Sequence, residues 1–309
     1  MASKIAVGFT LQPDDEFLDR IEELACAGPD AVDYLELTPE TTWWSPPLEP
    51  GQPLELAPNG FHRRFQALGQ KYGKPFVGHG IGLSLGSASR ADAARRHSWL
   101  ARLRADQACF DFRWYTEHLG MTAPAGFALA LPLPTLMDDA SERRAARRLA
   151  ALAEIFPKVG VENTAQYFLL GEPLAEPRFL RRLLKKARGH LLLDLHNLHT
   201  MAENFRFAAA DYLGRLDLHQ VIELHLSGGS YSDGSWLPGG RSLRLDSHDG
   251  AVPEPVWQLL DAVLPRCPNL QGVTLERMEG TVGDADIPLL RAELQRLRSC
   301  LKHHGRAAA

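Results

Sequence analysis

The sequence predicts a single (β/α)8 barrel, an α/β fold in which eight parallel strands alternate with helices. Three observations predict it. Eight short apolar runs alternate with longer helical patterns along the whole chain. The length of 309 residues suits one barrel with loop insertions. The segment Gly8–Leu11, after the first strand, lacks the glycine-rich phosphate loop expected of the competing doubly wound sheet.

The predicted strands are short and apolar, and turn-forming residues lie at their ends. They cover Ile5–Thr10, Asp33–Thr38, Pro75–Gly80, Trp114–His118, Lys158–Asn163, His190–Asn197, Val221–Leu226 and Gly272–Arg277. Between them, apolar residues recur every three or four positions, which is the spacing of one buried helix face. The predicted helices cover Asp14–Ala25, Gly60–Tyr72, Arg90–Asp106, Ser141–Phe156, Pro177–Ala187, Phe205–Leu216, Pro255–Leu264 and Ile287–Leu301.

Two longer segments, Pro39–Asn59 and Ser227–Gly250, are predicted to be loop insertions. Long ordered loops are often functional, and Trp43-Trp44 in the first could anchor the loop or cover a site. We expect residues 1–302 to form one metal-binding catalytic barrel domain and residues 303–309 to form a disordered tail.

Composition excludes several classes of protein. The 38 acidic and 34 basic residues give a net charge of −4, so no general electrostatic footprint for nucleic acid or membrane is expected. The four cysteines, Cys26, Cys109, Cys267 and Cys300, are too far apart for a thiolate zinc motif or a disulfide framework. The chain shows no signal peptide and no long apolar run, which predicts a cytoplasmic protein.

Acidic and histidine residues follow the apolar runs of most predicted strands. In a barrel the carboxyl ends of all strands meet on one face, where active sites are built. The residues are Glu36, His79, Glu117, His118, Glu162, Asn163, Asp194, His196, Asn197, His199, Glu223, His225, Asp246, His248 and Glu276.

So many carboxylates in one place need compensation. Two carboxylates about 4 Å apart repel by ~4 kcal/mol at an effective dielectric constant near 20. No lysine follows a predicted strand to neutralise them. Bound metal ions are the simplest compensation, and histidine with carboxylate, without thiolate, suits iron, manganese or zinc. More than four good donors indicate more than one ion.

Some of these residues have simpler interpretations. Glu36 and Glu223 could be solvated, or could orient a histidine ligand. Glu117 and His118 cannot both point inward from a regular strand. The glycines of Gly78–Gly82 match no Walker loop, and nearby serines lack the context of a Ser-His-Asp triad.

The motifs resemble those of the multinuclear non-heme iron-dependent oxidases, which have a xylose-isomerase-like barrel. They occur in family order over most of the chain. The motifs are His79-Gly-Ile-Gly-Leu-Ser-Leu-Gly-Ser87, Glu117-His118-Leu119, Val161-Glu162-Asn163, Leu193-Asp194-Leu195-His196-Asn197, Glu223-Leu224-His225-Leu226, Leu245-Asp246-Ser247-His248-Asp249, Val252-Pro253-Glu254-Pro255-Val256-Trp257 and Thr274-Leu275-Glu276.

The resemblance implies two or three irons of mixed Fe2+/Fe3+ valence. The metal ligands that it implies are His79, His118, Glu162, Asp194, His225, Asp246, His248 and Glu276. Of these it implies catalytic roles for His79, Glu162, Asp246 and His248. Residues that would support ligands or contact substrate are Glu117, Asn163, His196, Asn197 and His199.

The resemblance also implies an activity: an oxidoreductase that uses dioxygen to modify a ribosomally made precursor peptide, typically at cysteine, in natural-product biosynthesis. A partner protein often recognises the leader segment of the precursor. The alternative is a divalent-metal sugar isomerase, epimerase or endonuclease of the xylose-isomerase-like superfamily, or a non-enzymatic metal or peptide carrier.

Three positions depart from the family pattern. Gly229 stands where members usually have a second histidine, His196 where many have Asn, and Arg277-Met278 where Trp-Asp often follows. We therefore expect an intact metal core and a different substrate pocket.

Overall fold

The computed structural model describes residues 4–44, 53–90, 92–123, 129 and 132–305. Eight parallel strands form a closed barrel in the order β1-β10-β9-β8-β7-β6-β5-β2, and the prediction of a (β/α)8 barrel is confirmed. The barrel strands are β1 (Ala6–Leu11), β2 (Tyr34–Leu37), β5 (Phe76–Gly80), β6 (Tyr115–His118), β7 (Val159–Glu162), β8 (His190–Asp194), β9 (Val221–Leu226) and β10 (Gly272–Leu275). Strands β3 (Trp43–Trp44) and β4 (Ala57–Pro58) form a separate antiparallel pair.

Helices alternate with the barrel strands. They are α1 (Asp15–Glu22), α2 (Gly60–Tyr72), α3 (Ala93–Phe110), α4 (Asp139–Ala153), α5 (Glu176–Ala187), α6 (Leu195–Phe205), α7 (Ala209–Leu213), α8 (Glu254–Val263) and α9 (Ile287–His303). Polar side chains cap several of them: Asp14 accepts from the Phe17 amide and Asp138 from the Ser141 amide. Within the described ranges, none of the helices combines the length and apolar character needed to cross a membrane.

The chain divides into two compact units. The first comprises Met1–Tyr34, Asn163–Tyr167 and Leu192–Ala309, and the second comprises Leu35–Glu162 and Phe168–Leu191.

In the first unit, strands β1, β10 and β9 pair in parallel, with Thr274 opposite both Gly8 and His225. The Tyr34 ring lies against Gly8 and Gly272, where a Cβ atom would approach it to less than 3 Å. Glycine at these two positions therefore makes room for a buried tyrosine among the strands.

In the second unit, strands β2, β5, β6 and β7 pair in parallel, and His118 lies opposite Glu162 in the register. Helices α4 and α5 are joined by ion pairs from Glu142 to Arg182 and Lys186, at 2.8 and 2.6 Å. The short apolar strands end at the polar residues that the sequence analysis selected.

The predicted strand His190–Asn197 is too long at its carboxyl end. The strand ends at Asp194 because its Oδ1 atom accepts a hydrogen bond of 2.6 Å from the Asn197 amide and caps α6. His196 therefore belongs to a helix, and strand pleating does not place it on the face of Asp194. The predicted helix Phe205–Leu216 is in fact the end of α6 and the short α7.

The predicted loop insertions contain short ordered elements. In the first, a 3-10 helix (Pro39–Thr42) precedes the β3–β4 pair, and residues 45–52 lie outside the described residues. Trp43 is buried and its Nε1 atom donates to Asp106 at 2.7 Å, whereas Trp44 is exposed. Helix α9 continues to His303, and residues 306–309 of the predicted tail lie outside the described residues.

Candidate metal centre

Two histidines and a glutamate come together at the ends of three neighbouring strands of the second unit. His79 on β5 and His118 on β6 both direct Nε2 at Oε2 of Glu162 on β7, at 3.3 and 3.0 Å. His79 and Glu162 are buried, and His118 is nearly so. We call these three residues the β5–β7 cluster.

The opposite nitrogen of each imidazole is held by the protein. His118 Nδ1 lies 3.2 Å from the Gly80 carbonyl oxygen, and His79 Nδ1 lies 2.8 Å from the Thr116 hydroxyl. Because a carbonyl oxygen only accepts, Nδ1 of His118 carries the hydrogen, and in the neutral ring Nε2 has the lone pair. Metal-binding histidines in proteins are commonly oriented in this way.

The Glu162 carboxylate and the two imidazoles shift one another's pKa values. Burial by itself would lower the pKa of His118, but the Glu162 carboxylate outweighs it and raises that pKa to about 9. Burial likewise opposes ionisation of Glu162, and the two imidazoles nevertheless hold its pKa well below the ordinary value. The arrangement therefore favours a positive charge between the three side chains, which a metal cation could supply.

A second group of carboxylates and histidines lies within the first unit. Single ligand atoms of Asp194, His248 and Glu276 all lie within 4.8 Å of one another. Nδ1 of His225 lies 3.2 Å from Glu276 Oε1 and 4.0 Å from Asp194 Oδ2. Nε2 of His248 lies 2.8 Å from Asp246 Oδ1. These five residues form what we call the β8–β10 cluster, and they could also hold metal.

Glu276 reaches a different histidine with each of its oxygens. Oε1 faces His225 at 3.2 Å, and Oε2 faces His248 at 3.8 Å. A carboxylate placed in this way can contribute one oxygen to each of two ions. The donor set therefore fits more than one cation.

The chain fixes Asp194 through its backbone. The Asn163 side chain accepts from the Asp194 amide and donates to its carbonyl, both at 2.9 Å. The Asn197 side chain in turn donates to the Asn163 carbonyl at 3.1 Å. Because Oδ1 of Asp194 caps α6, its Oδ2 atom is the oxygen directed at His225.

His248 has a left-handed backbone, with φ of 51°. This conformation is uncommon for a residue with a side chain, and here its carbonyl oxygen accepts a 3.1 Å bond from the Met278 amide. Burial would lower the pKa of His248, but Asp246 and Glu276 raise it to about 10. The histidines around Asp246 hold the pKa of that carboxyl far below its ordinary value, against the effect of burial.

His196 supports Asp246 from outside the cluster. Its Nδ1 atom lies 3.2 Å from Asp246 Oδ1, and its Nε2 atom lies 3.2 Å from Arg244 Nη2. Gly229 lies against the ring: a Cβ atom there would come within 2.9 Å of His196 Cε1 and 2.1 Å of the Leu245 carbonyl oxygen. Glycine at this position therefore leaves room for the Leu245 backbone and for the His196 ring.

Other selected residues serve as supports. Glu117 turns away from the histidines: it accepts from the Tyr115 hydroxyl at 2.9 Å and the Leu83 amide at 3.1 Å, and burial raises its pKa to about 8. Glu223 accepts from Thr274 and Tyr34, at 2.7 and 3.0 Å.

Two further residues of the sequence prediction have different surroundings. Glu36 is buried on β2. His199 lies on α6, where its Nε2 atom is 3.7 Å from Glu203. Burial and the nearby Arg244 lower the pKa of His199 to about 4, so this side chain is a neutral base at pH 7.

Sequence reasoning missed several supporting residues. Glu40 accepts from the Ile81 and Gly82 amides at 2.7 and 2.6 Å and so holds the loop after His79. Tyr167 accepts from the Asp246 amide at 3.1 Å. Arg244 contacts His196, which in turn orients Asp246, and Thr116 orients His79. An acidic residue shortly before Trp43-Trp44 was a signal for Glu40, whereas nothing in sequence spacing indicated the other three.

The family of the chain can now be stated. The model of a family described as "RiPP precursor modification enzyme MbnB/TglH/ChrH", where RiPP denotes a ribosomally made and modified peptide, matches residues 17–302. The chain belongs to this family. The match confirms the resemblance found in the sequence motifs. It makes the protein one of a family of peptide-modifying enzymes.

Relatives extend over nearly the full chain. The UPF0276 protein of Pseudomonas aeruginosa is 32% identical over 292 residues, covering 93% of this chain and 91% of that protein. The UPF0276 protein of Shewanella sediminis is 26% identical over 272 residues, covering 88% of this chain and 84% of that protein.

Solved structures share the fold. A D-psicose 3-epimerase has a TM-score of 0.55 at 14% identity, covering 97% of this chain and 98% of that chain. A xylose isomerase domain protein from Planctomyces limnophilus has 0.55 at 13%, covering 98% and 99%. Endonuclease IV from Thermus thermophilus has 0.53 at 18%, covering 94% and 99%. At these identities the likeness shows a xylose-isomerase-like barrel and nothing about substrate.

Proposed function

We propose that this protein is a multinuclear non-heme iron oxidase that uses dioxygen to modify a ribosomally made precursor peptide at a cysteine. The observation that carries the proposal is the β5–β7 cluster, in which two imidazole Nε2 atoms face one Glu162 oxygen at 3.3 and 3.0 Å. Two histidines and one carboxylate are the typical ligands of non-heme Fe(II) sites with open positions. Membership of a peptide-modifying family supports the choice of substrate.

The β8–β10 cluster supports more than one ion. It offers three carboxylates and two histidines, and Glu276 directs its two oxygens at different histidines. We infer that His79, His118 and Glu162 hold one iron, and that Asp194, His225, Asp246, His248 and Glu276 hold one or two more, in a mixed Fe2+/Fe3+ state.

Bound iron would supply one-electron chemistry with dioxygen and would lower the pKa of a substrate thiol. The protein's own residues orient the ligands. The Gly80 carbonyl and Thr116 hydroxyl fix the two imidazoles of the β5–β7 cluster, and His196 fixes Asp246. Burial of His225, Asp194 and Glu276 excludes bulk water from the ligand atoms. We further propose a partner protein that presents the leader segment of the precursor.

Metal analysis of protein purified without oxygen tests the proposal. We expect His225→Ala and Asp246→Ala each to lower the iron-to-protein ratio and to abolish dioxygen consumption with cysteine-containing peptides. His219→Ala is the matched control, since that side chain is 75% exposed and pairs only with Asp217 among the residues described. A peptide with serine in place of cysteine should be inert.

Two results would contradict the proposal. Full iron occupancy in both ligand variants would reject the assignment of the ligands. Epimerisation of sugars with manganese or zinc, in the absence of oxygen and with no reaction of any cysteine peptide, would favour a sugar epimerase instead.

A further inference from the structure

A cavity of about 900 Å³ lies in the second unit, between the loop after β5 and helices α3 and α4. Five arginines and one histidine line it, and we call it the basic groove. They are Arg90, Arg96, His97, Arg144, Arg147 and Arg148. None of these belongs to the β5–β7 cluster, and none was singled out in the sequence.

Two arginines of the groove bind the loop that follows β5. Arg148 donates to the carbonyl oxygens of Ser84 and Leu85, both at 2.7 Å, and to that of Ser87 at 2.6 Å. Arg144 donates to the Gly86 carbonyl at 3.3 Å. Because carbonyl oxygens carry no net charge, these bonds hold the loop in place without neutralising the guanidinium charges.

The acidic residues that act on the groove's arginines, Asp92 on Arg148 and Asp138 on Arg144, lie outside its lining. Among the described residues that line it, none is acidic. Nearby Asp92 is buried and already pairs with Arg95 and Arg96. Burial and the charge of Arg96, against the opposing charge of Asp92, lower the pKa of Arg148 to about 9, and Arg144 adds to the lowering. An anion would relieve this accumulation of positive charge.

Two arginines at the rim are available to a ligand. Arg90 and Arg147 are exposed, and neither forms an ion pair with another residue in the described ranges. Guanidinium groups bind carboxylates through two parallel hydrogen bonds. The groove therefore offers donors that the fold itself does not use.

The size and walls of the groove favour a chain over a small anion. Its volume is near the upper end of ordinary ligand pockets, which is about 1,000 Å³. Leu83, Leu100 and Ala93 contribute apolar surface between the cations. A peptide that carries both acidic and apolar side chains matches this lining, whereas phosphate alone would leave most of it empty.

We propose that the basic groove binds an acidic segment of the peptide substrate. The inference rests on the proposed function for the identity of the peptide, and on the groove's own charge and shape for the binding. The groove would bind a segment of the peptide that is distant from the reacting residue. It would so contribute affinity without taking part in the chemistry.

Fluorescence anisotropy of labelled synthetic peptides tests the inference. The probe is a short peptide of alternating Glu and Leu, compared with one of equal length in which Gln replaces Glu. We expect the acidic peptide to bind at least about tenfold more tightly, and its affinity to fall as salt is raised. The double variant Arg90→Glu/Arg147→Glu should weaken acidic-peptide binding about tenfold or more.

The control variant is Arg181→Glu/Lys185→Glu on α5, which makes the same change in net charge on an exposed face elsewhere. It should bind like the unmodified protein, and melting temperatures should confirm that both variants fold. Equal loss in both double variants would overturn the inference, because it would show a non-specific charge effect. Displacement of the peptide by inorganic phosphate or by an oligonucleotide at equal concentration would also overturn it.

These measurements need neither metal nor dioxygen, so they separate the two proposals. Protein that binds the acidic peptide but takes up no iron would reject the proposed function alone. Protein that oxidises a cysteine peptide but shows no preference for the acidic probe would reject the basic groove alone.

Discussion

Arg244 donates a hydrogen bond of 3.2 Å to Nε2 of His196, and both side chains are buried. A guanidinium group can only donate, so Nε2 of His196 is an acceptor and the ring hydrogen of the neutral imidazole is on Nδ1. That hydrogen points at Asp246 Oδ1, 3.2 Å away. Arg244 therefore fixes the tautomer through which His196 orients Asp246.

The first prediction concerns this chain of contacts. His196→Ala and Arg244→Leu should each weaken metal binding by about tenfold, the lower end of effects seen when a residue supporting a ligand is lost. Affinity is measured by competition with a coloured chelator. Because the two residues act in series, the double variant should lose little more than either single variant. If the losses of metal-binding free energy in the two single variants add up in the double variant, His196 and Arg244 act independently, and the prediction is wrong.

The second prediction concerns Gly229. A Cβ atom there would lie 2.1 Å from the Leu245 carbonyl oxygen. We expect Gly229→Ala to lower the free energy of unfolding by about 1–3 kcal/mol, as overpacking usually does. Urea denaturation measures it.

Gly250→Ala is the control for Gly229→Ala, because nothing lies within 4 Å of a Cβ atom at Gly250. Adding His196→Ala to Gly229→Ala should not restore stability, since the contact with the Leu245 backbone remains. If the double variant were as stable as His196→Ala alone, the steric clash of the Cβ atom at position 229 would be with the imidazole and not with the Leu245 backbone.

The third prediction is a pH dependence of stability. Hydrogen bonds from Arg182 and Lys186 lower the pKa of Glu142 in the folded protein. Their contribution is therefore complete above the unfolded pKa of about 4.3 and is lost as the pH falls through the lower folded value. Since both cations are half exposed, Glu142→Gln should destabilise by only about 0.5–1 kcal/mol at pH 7.

Denaturation of Glu142→Gln and the unmodified protein at several pH values measures the difference between them. It should shrink as the pH is lowered below about 4. Glu172→Gln, at an exposed position, should show no such trend. A difference that stays constant down to about pH 2 would contradict the assignment.

The fourth prediction concerns metal removal. A cation among buried carboxylates and imidazoles binds the folded chain only, so it should raise stability by about 2.7 kcal/mol when free metal exceeds its Kd about a hundredfold. Chelation should lower the melting temperature, and adding ferrous iron without oxygen should restore it. The variant Asp194→Asn/Glu276→Gln should lose the part of this response that comes from metal in the β8–β10 cluster. A response equal to that of the unmodified protein would place the metal elsewhere.

Much of the barrel and of the candidate ligands could be predicted from sequence. Apolar runs mark the strands, and parallel strands bring their carboxyl ends to one face, so position alone selected Glu162 and left Glu117 and His118 as alternatives. The family resemblance favoured His118. The side-chain orientations of His79 and His118 could not be predicted, because their contacts with Thr116 and Gly80 depend on the register of neighbouring strands.

The main error of the sequence prediction is the carboxyl end of β8, where a strand and the start of α6 compete for the same residues. The apolar run at β8 continues through Leu195, so the sequence pattern predicts a strand as far as Asn197. A helix begins there instead, because Asp194 caps it and Asn163 holds the same residue from the preceding strand end. Arg244 and Arg148 were missed because their partners are 48 and 61–64 residues away in the chain.

Asp194 uses one oxygen to start α6 and the other to face His225. An asparagine could retain the cap but would remove the negative charge, and an alanine would remove both. Redesign of this protein for another ion thus has little freedom at Asp194, since a replacement must both cap α6 and supply the donor that faces His225. Glu276, which no described helix uses as a cap, is the better position at which to vary the ligands of the β8–β10 cluster.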